Sequence, residues 1–246
     1  HTPHSELPAI PENPSDEQVG HSRIFANKLL PVKGLGVDAV DEAADNASVA
    51  ELLNQIRASE EEMVAERTAA GESLEDFETE LRKARYAKIE DWLAQNPNSR
   101  WATALQHELL GFRFERGYYA EAEDGWAAQW EQLKDVPFGE SGYELASEAL
   151  GNLFELNVSN ADTESLRQLI AETQDRVIAG NLEGKLFHAR QSLWLLEHRG
   201  AENVMCGPLA LNSINHYLGK PITSPMLNKV TQDSIGVGIA LSQVET

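Results

Sequence analysis

Apolar residues return at helical spacing through the middle of the chain. Val49, Leu52, Leu53 and Ile56 run on to Met63 and Val64 as one stripe, and Phe77 and Leu81 lead to Ile89, Trp92 and Leu93 on a second. Steps of three and four residues place such positions on one helix face, and no clean two-residue alternation interrupts them. Ser48 with Glu51, and Ser73 with Asp76, have the spacing of capping boxes that open helices. Ala69-Ala70-Gly71-Glu72 reads as the turn between them. The pattern predicts an antiparallel helical hairpin over 38–96.

Beyond Pro97 the pattern changes from stripes to a repeat. Leu110-Gly111-x-x-Phe114 is followed by Gly117-Tyr118-Tyr119-Ala120-Glu121-Ala122 and Trp126. Leu150-Gly151-x-x-Phe154 recurs 40 residues on, entered through Ser141-Gly142-Tyr143-Glu144 as a further capping box. This arrangement resembles a tetratricopeptide unit, whose usual period is ~34 residues. The resemblance implies that small Gly111 and Ala122 let two helices approach while Phe114, Tyr119 and Trp126 fill the gaps. A generic array of helical hairpins has the same architecture, each hairpin burying its stripe on a neighbour. A partner helix opens near Asp162-Thr163 and carries Leu166, Leu169, Ile170 and Val177. A last helix runs from about Leu182 to His198 with Leu186, Phe187, Leu193, Trp194 and Leu196. The fold class expected is therefore all-α, with repeats over 97–199.

Charge and composition narrow the partners. Forty acids against twenty bases give a net charge of −20. Such a balance argues against nucleic acid, which needs clustered Lys and Arg, and against anionic lipid. No apolar run nears the ~20 residues that span a bilayer. Sixteen of the acids, with six bases, fall between Asp38 and Asp91, where a solvated helical face is the expected arrangement. Glu60-Glu61-Glu62 is read the same way, because consecutive carboxylates on a helix diverge by about 100° and do not converge on one ion. Residues 1–37 begin with Pro3, Pro8, Pro11 and Pro14, an extended segment expected to add little stability before about Val19. His1-Thr2-Pro3-His4-Ser5 has no basic-then-apolar leader, which fits a processed start and leaves export and cytoplasm both open.

Candidate chemistry is sparse. One cysteine rules out an intrachain disulfide and CxxC zinc sites. His107, His188 and His198 fall singly on predicted helices, so neither a metal nor a cofactor is expected. Gly34-x-Gly36 and Gly236-x-Gly238 lack the third glycine and the P-loop lysine, and read as turns.

Cys206 stands apart. In Met205-Cys206-Gly207-Pro208-Leu209-Ala210-Leu211 it opens a predicted helix that Leu209, Leu211, Ile214 and Leu218 bury and that Gly219 with Pro221 ends. A thiol there feels the positive end of the helix dipole, which favours the thiolate. The segment resembles the nucleophile helix of papain-like cysteine peptidases of the bacteriocin-leader-processing type. Ser224–Val230 and Gly236–Leu241 continue that resemblance, which covers about 199–246. It implies Cys206 as catalytic nucleophile, with backbone N–H groups around Gly207 contributing to an oxyanion hole. Two positions depart from the family: Gly200 stands where an oxyanion Gln is usual, and the one downstream histidine, His216, is about 15 Å along the same helix. Residues 200–246 are thus expected to hold only the helical half of such a domain, with its base beyond Thr246 or on another polypeptide. Two functions follow: the front part of a cysteine peptidase, possible self-processing included, or a non-catalytic helical module that binds a peptide or protein segment.

Overall fold

The computed structural model describes residues 10–11, 14–20, 25, 29–32 and 41–198. Among them every regular element is a helix: α1 (Asp16–Gly20), α2 (Glu42–Ala69), α3 (Leu74–Gln95), α4 (Ala102–Glu115), α5 (Tyr119–Leu133), α6 (Ser141–Ser159), α7 (Thr163–Glu172) and α8 (Asn181–His198). None of these is long and apolar enough to cross a membrane. The chain divides into two compact units, His1–Leu150 and Gly151–Thr246, and the division falls inside α6.

In the first unit α2 packs on α3, α3 on α4, and α4 on α5. Partners run in opposite directions along each pair. Arg67 meets Glu80, Glu60 meets Arg85 and Ser48 meets Trp92 between α2 and α3. Arg82 meets Glu115 and Tyr86 stacks on Phe112 at 4.2 Å between α3 and α4. Fully buried Leu53, Ile56, Phe77, Ile89, Trp101, Leu105, Leu110 and Leu133 form the core between them. In the second unit α7 packs on α8, with Arg167 bound to Glu197 at 2.6 Å. Leu166, Leu182, Leu186 and Ala189 are buried there, and Lys185 reaches Asn152 and Glu155 at 3.2 and 3.3 Å.

Several local expectations change. Asp41, whose carboxylate accepts from the Ala43 and Ala44 N–H groups, caps α2. Ser48 therefore lies a turn and a half inside that helix, and its hydroxyl accepts from Trp92 Nε1 at 3.1 Å. Ser73 does work with Asp76: its N–H and hydroxyl both donate to Asp76 Oδ2 at 2.8 Å, which holds that carboxyl below its usual range. Ser141 instead gives its hydroxyl to the Pro31 carbonyl. The predicted turn is present, with Gly71 at φ +86°. Helix α7 stops at Glu172, short of Val177, and Phe187 and Trp194 on α8 lie on its exposed side rather than in the core.

One reading made at the sequence level is reversed. Glu60 is buried and gives its carboxylate to Arg85 Nε at 2.5 Å, whereas Glu61 and Glu62 are exposed. The 100° divergence that spreads the three acids sends one of them under α3. Within 1–37, expected as extended, the described residues include the short helix α1, on which Val19 is fully buried.

Candidate functional site

The helices of the first unit gather a polar centre where α4 faces α3, α5 and α6. Gln129 on α5 donates its amide N–H to the Thr103 carbonyl at 3.0 Å, which turns its Oε1 toward His107 Nδ1 at 2.9 Å. That network assigns the proton to Nδ1, since an amide oxygen can only accept. His107 Nε2 then faces Glu148 Oε2 on α6 at 3.4 Å. The ring also lies 6.4 Å from Trp126, which is nearly buried. His107 is thus not a lone helical histidine but a bridge across three helices.

Glu108, the next residue on α4, is the most perturbed acid of this centre. Burial is the largest cause, followed by the negative charge of Glu148, and together they push its carboxyl up to about 7. Arg85 on α3 opposes the shift, and Glu115 adds to it. Arg85 is nevertheless engaged elsewhere, in its close pair with the buried Glu60 and at 6.0 Å over the Phe25 ring. Within the described residues no direct ion pair or hydrogen bond reaches the Glu108 carboxyl. The half-buried carboxyl is partly protonated near neutrality, and a cation brought beside it favours release of that proton to solvent.

Comparison with protein-family models, curated proteins and solved structures finds no match to this chain. Function therefore rests on the residues themselves.

A second polar cluster lies along α2. Arg100, its side chain 9% exposed, is surrounded by Asp16, Glu42 and Asp45 at 3.2, 3.5 and 3.4 Å. Asn46 Oδ1 accepts from Arg100 Nη2 at 2.9 Å and from Trp101 Nε1 at 2.8 Å. Cys206 and Gly207, with Gly200 and His216, lie outside the described residues. Among the described residues no group of three or more His, Cys, Asp or Glu could hold a metal ion.

Sequence reasoning passed over Glu108, Gln129, Asn46 and Arg100. A glutamate on a helix carries no local mark of what packs over it; only the approach of α3 and α6 makes Glu108 distinctive. His107 was visible, but its partners come from 22 and 41 residues further on.

Proposed function

We propose that residues 41–198 are a tetratricopeptide-like scaffold that binds a basic peptide or protein segment at the α4 face, set ahead of a papain-like peptidase segment at Cys206. The carrying observation is Glu108, a half-buried carboxyl pushed up to about 7 with no cation in direct contact among the described residues. A lysine or arginine side chain delivered there replaces the proton and offsets repulsion from Glu148. The net charge of −20 steers such partners toward the molecule. Repeat ancestry is supported by the α4–α5 pair. Ala122 is fully buried, and Phe114 lies 5.5 Å from Trp126 and 5.2 Å from Tyr119.

The test is fluorescence anisotropy of the full chain with a labelled lysine-rich peptide and its glutamate-rich counterpart at pH 7.5. The lysine-rich peptide binds, the other does not, and Glu108→Gln weakens binding about tenfold. Equal affinity of wild type and Glu108→Gln contradicts the reading.

The Cys206–Leu211 motif favours a second reading, in which the scaffold delivers a peptide to the Cys206 thiolate for cleavage. Cys206 then alkylates at neutral pH in the folded chain faster than a buried thiol does, while the chain alone hydrolyses no peptide bond.

A further inference from the structure

The helix that carries Glu108 shares a motif with α6. Glu108-Leu109-Leu110-Gly111-Phe112-Arg113-Phe114-Glu115 and Glu148-Ala149-Leu150-Gly151-Asn152-Leu153-Phe154-Glu155 agree at five of eight positions. In each, the glycine stands three residues after one glutamate and four before the other. Helical spacing puts all three on one face, with the glycine between the two acids. Leu110 and Leu150 are both buried, so the two helices anchor the motif to the core at the same position.

In the α6 copy a lysine crosses the glycine. A Cβ on Gly151 would come within 2.7 Å of Lys185 Cδ, 3.5 Å of its Cε and 3.4 Å of its Nζ, so the aliphatic stem lies in the space that the glycine leaves. The ammonium beyond it reaches Glu155 Oε1 at 3.3 Å and donates to Asn152 Oδ1 at 3.2 Å. The motif therefore holds a lysine in two ways: its stem on the bare helix turn, and its charge on the glutamate four residues on. In the α4 copy a Cβ on half-buried Gly111 would meet nothing within 4 Å among the described residues. Glu108 borders it on one side without a direct cation partner among those residues, and Glu115 on the other is shared with Arg82. Phe112, stacked on Tyr86, stands where α6 has Asn152, so carboxylates alone are left to accept from a cation there.

We propose that Gly111 is the seat for a lysine side chain of the bound partner, its stem across the glycine as Lys185 lies across Gly151 and its ammonium between Glu108 and Glu115. The proposal rests on the reading of the α4 face as a binder of basic segments, and adds that this face selects lysine by its stem as well as by its charge. A cation held by charge alone is indifferent to the length of the chain that carries it. A stem packed on a helix loses contact with each methylene removed.

The experiment uses the full chain, the labelled lysine-rich peptide and a counterpart in which ornithine, one methylene shorter at the same charge, replaces every lysine. Wild type is expected to bind the ornithine peptide about fourfold more weakly than the lysine peptide, a comparison that needs no variant. Gly111→Leu fills the seat with a better helix former and leaves both glutamates in place. It is expected to weaken the lysine peptide about tenfold and to treat the two peptides alike, with far-ultraviolet circular dichroism confirming that the helices persist. Equal binding of the two peptides by wild type, or undiminished lysine binding by Gly111→Leu, overturns the proposal. If Glu108→Gln weakens binding while Gly111→Leu does not, only the seat falls and the basic-partner reading stands. If neither variant weakens it, both fall.

Discussion

Two glycines illustrate how one residue type carries opposite constraints. A Cβ at Gly111 would meet nothing within 4 Å, although the repeat resemblance made it the point of close approach. Gly125 has that role, because a Cβ there would overlap the Leu110 methyl groups. Gly111→Ala is therefore expected to raise stability by about 0.5–1 kcal/mol, the ordinary helix-interior gain. Gly125→Ala is expected to cost about 1–3 kcal/mol through overpacking. Urea midpoints of the two variants check both signs. Glu108 sets a pH dependence at the same scale. Its folded value, about 7, lies above the ordinary carboxyl value of 4.5, so the folded state binds the proton more tightly between them. The stabilising contribution is full below about 4.5 and is lost as pH rises through 7, by up to about 3 kcal/mol. Glu108→Gln is expected to flatten that slope between pH 5 and 8 in chemical unfolding. An unchanged slope would mean that the carboxyl is not buried as described.

Among the elements, α2 and α3 are held by more than their apolar stripes. Glu60 and Arg85 form a nearly buried pair across them, so losing one partner strands a charge. Arg85→Met is expected to cost about 3–5 kcal/mol, while Arg85→Met with Glu60→Leu recovers most of it. Additive losses in urea unfolding would show that the pair is solvated. Helix existence was legible because stripes such as Val49–Leu53–Ile56 and Phe77–Leu81–Ile89 need only local spacing. Helix starts were legible at Ser73, Asp162 and Ser141, although the Ser141 hydroxyl serves a distant carbonyl rather than a cap, and misleading at Ser48. The Ser48 and Ser141 hydroxyls bond to groups 44 and 110 residues away, information no short window contains. In the N-terminal segment the contacts with α2 at Ile10 and Pro14 were not legible for a related reason. Prolines forbid regular pairing, but side-chain amides on α2 can still grip an irregular backbone.

Taken as a whole molecule, the chain combines a large negative charge with Glu108, a half-buried acid that has no direct partner among the described residues. General attraction from twenty excess acids brings a basic segment near; the α4 face decides where its cation rests. That claim depends on Glu108 exchanging a proton for a cation, and carboxyl carbon NMR of the full chain follows the exchange directly. The Glu108 signal is assigned by its loss in Glu108→Gln, then titrated alone and with saturating lysine-rich peptide. The account predicts a midpoint of about 7 for the free chain and a clear move to lower pH when the peptide is bound. A free midpoint in the ordinary range near 4.3, or a midpoint that the bound peptide leaves unmoved, would contradict it.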